Sequence, residues 1–205
     1  MTLSYEYIKT RIDTSQHCQR NWDLSKSVPE EDLDLIIHAA TQCPSKQNCR
    51  YYKVTVIKTR DLIEQIHNHT VGFTHKDTTE IFTNSQTLAN ILFVFQLDIS
   101  PEVMHKNMQY EDNNFEIVKR DSDVAVGIAS GYVNLIASLL GYNTGYCQCF
   151  DSRAIQAILN DDASVLLMVG VGYKNKNISR FVHHADHSKE YYPIVKQQIE
   201  IRTIE

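Results

Sequence analysis

The stretch Asp123–Leu140 restricts the fold more than any other part of the chain. After Asp123 it carries no charge. Val124, Ile128, Leu135, Ile136, Leu139 and Leu140 alternate with the small residues Ala125, Gly127, Ala129, Ser130, Gly131, Ala137 and Ser138. Apolar residues recur at 124, 128, 132, 135, 136 and 139, which is a helical period. Apolarity nearly all round predicts a helix buried on every side. Gly127 and Gly131 each cost about 1 kcal/mol against alanine in a helix interior, so a close approach by another backbone is expected there. Two placements satisfy this pattern: the core helix of a monomer, or a helix that is both core and dimer interface.

With 205 residues the chain is long enough for one domain with an ample core. It reads as a single domain over 1–205 with a C-terminal arm at 190–205. Net charge is −5, so no broad basic surface points to nucleic acid. The five cysteines and an N-terminus, MTLSYEYIKTRID, without an apolar segment predict a reduced, cytoplasmic setting. The runs of large apolar residues at Ile91–Phe95 and Val165–Val169 are too short to cross a bilayer, so no membrane partner is expected.

The remaining elements follow in order. Tyr7, Ile8 and Ile12 share a helical face, and a turn-rich stretch follows to residue 28. Pro29 opens a helix whose first turn is acidic and whose apolar face is Leu33, Ile36, Ile37 and Ala40. Pro44 ends it. Tyr52, Val54 and Val56 alternate as a strand. Asp61 is predicted to cap a short helix bearing Leu62, Ile63 and Ile66. Residues 68–80 read as loop, Asn84–Asn90 as a helical turn, Ile91–Leu97 as a buried strand, and 98–120 as irregular. After the long helix come a turn at Gly141–Gly145, an irregular piece at Tyr146–Asp151, a helix over Ser152–Leu159 and a strand over Val165–Val171. Ile199 and Ile201 alternate in the tail Gln198–Ile204. No regular βαβ rhythm is present, which favours an α+β class.

Several catalytic devices are missing. Gly170-Val171-Gly172 lacks the third glycine of a dinucleotide fingerprint, and no phosphate loop or nucleophile elbow occurs. Cys147 and Cys149 have no second pair nearby to complete a zinc site, and read more simply as two small buried residues. His183, His184 and His187 are open to two readings: a solvated polar stretch, or metal and proton chemistry with 183 and 187 on one helical face.

Several segments, taken in order, resemble the nitroreductase family of flavoproteins. Gln16-His17-Cys18-Gln19-Arg20-Asn21-Trp22 resembles the family's opening Arg-x-Ser-x-Arg/Lys-x-Phe, and Val28–Leu33 its next helix start. Ala39-Ala40, followed by Pro44-Ser45-Lys46-Gln47-Asn48, resembles Ala-Ala-x-x-x-Pro-Ser-x-x-Asn. Gly127, Asn134, Ala137 and Gly141 resemble the long interface helix. Tyr146–Asp151 lies where the family passes over the flavin. Gly170–Tyr173 with Arg180 resembles the closing strand and its basic residue.

The resemblance implies a central, mostly antiparallel sheet flanked by helices, in a domain-swapped homodimer with FMN at each of two interface sites. It implies an oxidoreductase that passes hydride from NAD(P)H to a nitroaromatic, quinone or similar small acceptor. The cofactor-binding positions it implies are Gln16, His17, Cys18, Arg20, Pro44, Ser45, Asn48, Asn84, Gln86, Gln148, Cys149 and Arg180. Ser45 and Asn48 would come from the partner, and Asn84 and Gln86 would read the pyrimidine edge. A backbone N–H near Gln148–Cys149 would face N5. No side-chain acid is required, because the flavin carries the chemistry. Each residue also has a plainer account: surface arginines at 20 and 180, turn chemistry at Pro44-Ser45 and a cap at Asn84. Departures are visible too. Gln16 stands for the first arginine, Cys18 for the serine, and Arg50-Tyr51-Tyr52 for Gln-Pro-Trp. They leave a second function class open: a dimeric binding or regulatory protein on the same scaffold, with flavin weakly bound or lost.

Overall fold

Strand β4, Ile91–Leu97, is the centre of the protein, and its six residues from Ile91 to Gln96 are all buried. The computed structural model describes residues 3–74, 80–101, 114–188 and 196–204. β4 pairs antiparallel with β1 (Tyr52–Ile57) on one side and with β6 (Val165–Gly172) on the other. β5 (Asn143–Cys147) pairs antiparallel with β6, giving the strand order β1-β4-β6-β5. A separate two-stranded piece joins β2 (Phe73–Thr74) to β3 (Ile81–Phe82).

Successive strand residues point to opposite faces, so an uninterrupted apolar strand requires cover on both. Ile91, Phe93 and Phe95 face one layer with Leu167, Val169 and Val171. Helix α2 (Glu30–Thr41) brings Leu33, Ile36 and Ala40 to that layer, and α4 (Asn114–Leu139) brings Val126, Ala129, Val133 and Ala137. Leu92, Val94 and Met168 face the other layer. There α3 (Arg60–His67) supplies Ile63 and Ile66, and α5 (Ser152–Leu159) supplies Ile155. This is an α+β sandwich of helices about an antiparallel sheet, as the sequence predicts.

The long helix differs from its predicted form in two ways. It begins within the stretch expected to be irregular, already helical at Asn114. It is also not buried on every side. Ala125, Ala129, Val133 and Ala137 lie on the buried face, whereas Val124, Gly127, Gly131, Tyr132 and Leu135 are exposed. A Cβ added at Gly127 or Gly131 would meet nothing within 4 Å, so among the described residues no backbone explains either glycine. By length and hydropathy alone α4 passes as a membrane span, but its buried face packs on α2 and the sheet.

The C-terminus of α4 is capped from several directions. Gly141, at φ +99°, closes a Schellman-type end in which its N–H donates to Ser138 O and that of Tyr142 to Ala137 O. Helix α1 (Tyr5–Ser15) covers the last carbonyls: Arg11 Nε donates to Ser138 O, and the Tyr7 hydroxyl to Leu139 O at 2.7 Å. A cation at a helix C-terminus also suits the dipole. Helix α1 has no buried residues of its own, and Tyr7, Ile8 and Ile12 all remain exposed.

Three smaller expectations change. Thr59, not Asp61, is the N-cap of α3; Asp61 lies inside its first turn, where its charge suits the dipole. The stretch from 143 to 147, read as turn and irregular chain, is a strand because β6 offers it a free edge. Of the predicted loop 68–80, Phe73–Thr74 is a strand and 75–79 lie outside the described residues. Residues 196–204 of the tail form no regular element, with Ile199, Ile201 and Ile204 strongly exposed.

Candidate functional site

A 3-10 turn, Ser85–Thr87, lies directly on the sheet and gathers the predicted site residues around it. Asn84 caps it, its side-chain oxygen accepting from Gln86 N–H at 3.1 Å, while its amide donates to Gln86 Oε1 at 3.3 Å. The capping account of Asn84 is therefore correct, and it leaves the two amides side by side. Two glycines make this packing possible. A Cβ on Gly145 would come within 2.9 Å of Gln86 O and 2.7 Å of Gln19 O. One on Gly170 would lie 2.3 Å from Gln86 O. In Gly170-Val171-Gly172, which fits no dinucleotide fingerprint, Gly170 is thus part of the floor on which the turn rests, while Gly172 lies against Asn90.

The opening motif threads between this turn and the closing segment. Gln19 N–H donates to Thr144 O at 2.8 Å, and Trp22 Nε1 donates to Ser85 O at 2.9 Å. The Asn21 amide donates to both Ser179 O and Val182 O at 2.8 Å, tying residues 19–22 to the segment that carries Arg180. Arg180 Nη1 donates to Cys18 O at 3.4 Å, and its guanidinium stacks 4.1 Å from the Phe181 ring centroid. Burial, and then the positive charge of Arg20, lower the Arg180 pKa. Two arginines from opposite ends of the chain are thereby held near one another, an arrangement that favours an anion between them.

Cys147 is buried, and burial pushes its thiol up to about 11, so it stays protonated at neutral pH. Gln148 and Cys149 are exposed beyond the end of β5. Of the two cysteines read as small buried residues, only Cys147 is one. The carbonyl of Cys149 accepts from Val71 N–H at 2.8 Å, which lays this segment beside residues 69–71. Gln16 and His17 are exposed at the end of α1, and the Gln16 amide donates to Asp13 O at 2.8 Å.

Pro44, Ser45 and Asn48 lie elsewhere. Together with Cys43, Arg50 and Tyr52 they line an open cavity of about 630 Å³, which includes no residue of the Arg20–Arg180 group. Gln47 and Asn48 both adopt φ 55°, a conformation that asparagine tolerates but that costs a residue such as Gln47 about 1–2 kcal/mol. Ser45 Oγ donates to Cys49 O at 2.7 Å. Arg50, which stands in place of a family glutamine, is paired with Asp98 at 3.0 Å.

The polar histidine stretch is not helical, and only part of it is solvated. His183 is 3% exposed, and its ring centroid lies 4.4 Å from that of His184 and 4.7 Å from that of Phe82. His184 meets His67, the last residue of α3, at 5.2 Å. His67 Nδ1 lies 3.2 Å from Asn84 O, so these rings support the turn from beneath. His187 stays exposed. Spacing alone could not reveal this cluster, because His67 comes from more than a hundred residues earlier. Among the described residues no group of three or more His, Cys, Asp or Glu side chains is arranged to hold a metal.

A sequence model of the nitroreductase family matches residues 14–173. The chain belongs to the nitroreductase family. Solved structures agree on its fold. A nitroreductase family protein from Streptococcus pneumoniae is similar at 15% identity and TM-score 0.66, covering 95% of this chain and 100% of that one. An FMN-dependent nitroreductase from Clostridium difficile is similar at 18% identity and TM-score 0.58, covering 80% and 86%. A candidate nitroreductase from Exiguobacterium sibiricum, crystallised with FMN, is similar at 14% identity and TM-score 0.66, covering 97% and 95%. A search of curated proteins finds no match. At these identities the likeness shows the nitroreductase fold, and the roles of residues in this nitroreductase-family chain rest on its own geometry.

Proposed function

We propose that this protein is an FMN-dependent oxidoreductase that works as a homodimer, taking hydride from NAD(P)H and passing it to a nitroaromatic, quinone or similar small acceptor in the cytoplasm. What supports this reading is that residues 19–22, which carry Arg20, bond both to the segment that carries Arg180 and to the turn that follows Asn84 and holds Gln86. Two guanidinium groups suit a phosphate, and two neighbouring amides suit the pyrimidine edge of a flavin. When bound, FMN supplies the site that accepts and then donates hydride. Arg20 and Arg180 hold its phosphate end, and Asn84 and Gln86 orient its ring. The exposed Gln148–Cys149 backbone borders the ring, and Ser45 and Asn48 close the site from the second copy. Arg180→Ala should weaken FMN about tenfold or more, given about 1.5–3 kcal/mol for a hydrogen bond to a charged group. Riboflavin, lacking the phosphate, should lose much less. Equal losses in fluorescence-quenching titrations of the two flavins would remove Arg180 from the phosphate.

The dimer reading rests on the exposed face of α4. Val124, Gly127, Gly131, Tyr132 and Leu135 form an apolar stripe with small residues at its centre, as two packed helices require. The exposed isoleucines of residues 196–204 and the outer edge of β1, which pairs with no strand among the described residues, support a further exchange, in which the tail of one copy adds a strand to the other. Gly131→Leu should overpack the contact and cost about 1–3 kcal/mol of association, seen as dissociation by light scattering at micromolar concentration. In a monomer the same leucine meets open space, so an unchanged molar mass sinks the interface.

A further inference from the structure

We propose that Lys46 and Asp121 form a positioning pair that holds the Pro44–Asn48 loop in the conformation that presents Ser45 and Asn48. The inference deepens the flavin reading above and rests on it for what the loop meets. The loop stands out from the end of α2, and Lys46, Gln47 and Asn48 are all exposed. Gln47 and Asn48 are consecutive non-glycine residues at φ 55°, a region such residues seldom occupy. Internal bonds fix the loop's shape: Ser45 Oγ donates to Cys49 O, Asn48 N–H to Ser45 O at 3.2 Å, and Cys49 N–H to Lys46 O at 3.1 Å. None of these bonds fixes where the loop sits against the rest of the protein.

Lys46 does. Its ammonium donates to Asp121 Oδ2 at 2.5 Å. The Asp121 side chain is only 8% exposed, although it is a carboxylate on the same helix that carries the exposed Gly127–Leu135 stripe. It lies close to buried Tyr51, whose hydroxyl is pushed up by burial and by the Asp121 charge. Its other oxygen has Arg120 at 3.7 Å, but that side chain is 70% exposed. A buried carboxylate without a close cation is strongly disfavoured, so the dependence runs both ways: Asp121 needs Lys46, and the loop needs Asp121. The pair thereby locks the strained loop in register with the helix face against which a second copy packs.

The test uses Lys46→Met, Asp121→Asn, their double variant and Lys46→Arg in the full chain. Flavin dissociation constants, amide exchange at residues 45–49 without flavin, and melting temperature are measured for each. Each single removal should raise the FMN dissociation constant about tenfold and speed exchange at 45–49. The double variant should lose no more than either single one, because both break one interaction. Lys46→Arg should return affinity to within about twofold of the original. Multiplied losses in the double variant would show two separate effects and overturn the pair. Unchanged FMN affinity in both single variants overturns it as well. Should the unaltered protein bind no FMN, the flavin reading falls by that result. Exchange at 45–49 then decides for the pair alone: unchanged exchange refutes it, and faster exchange supports it.

Discussion

Gly170→Ala is expected to destabilise the protein by about 3 kcal/mol or more and to strip it of flavin affinity. A single methyl group in a packed interior usually costs about 1–3 kcal/mol when neighbours can shift. Here the new Cβ would lie 2.3 Å from the backbone oxygen of Gln86 and 2.9 Å from Ala89 Cβ. Neither is the end of a flexible side chain. Strand β6 cannot retreat, because β4 and β5 flank it on both sides. The Ser85–Thr87 turn must therefore lift, carrying Asn84 and Gln86 with it. Thermal melts and FMN titrations of the same preparation check this. A variant with both values unchanged would mean that the turn does not rest on β6.

Acid should release the closing segment before the rest of the protein unfolds. Burial lowers His67 from 6.5 to about 4 and does the same to His184, with neighbouring histidines adding to the shift at His184. Burial dominates at His67; its bond to Asn84 O opposes the shift, while Arg60 and His183 add to it. Because both rings are harder to protonate when folded, the unfolded chain binds more protons between about pH 6.5 and 4. Stability is therefore full above about pH 6.5 and falls as pH drops toward 4. For His67 the shift corresponds to about 3 kcal/mol at 1.36 kcal/mol per tenfold change; the half-buried His184 contributes less because solvent screens it. The melting temperature should decline across this window, and amide exchange at 179–186 should accelerate first. His67→Gln should flatten the decline. A melting temperature that is level from pH 7 to 4 would contradict this account.

Much of the fold was legible because its main elements carry strong local patterns. The alternation at Tyr52–Val56, the uninterrupted run at Ile91–Leu97 and the acidic first turn after Pro29 each specify one structure. Helix α4 shows the limit. Its apolar residues announce a helix, but periodicity cannot distinguish a face covered by its own chain from one left exposed. Sequence order pointed to Arg20, Arg180, Asn84 and Gln86, and the neighbours Asn21 and Trp22 tie the segments that carry them together. It did not reveal why Gly145 and Gly170 are there, because a close approach involves two distant segments. The His67–His183–His184 cluster, with His67 and His183 buried, escaped notice for the same reason. Polar residues in a polar stretch read as solvated until the fold places α3 beneath them. Lys46 and Asp121 likewise become partners only when the loop after α2 meets the third turn of α4.

The most direct measurement is sedimentation velocity of the protein with added FMN, followed at a flavin absorbance band. The account predicts that flavin sediments with a dimer at one FMN per chain, because Arg20, Asn84, Gln86 and Arg180 of one copy meet Ser45 and Asn48 of the other. Flavin that stays with the solvent, or that travels with a monomer, would contradict it.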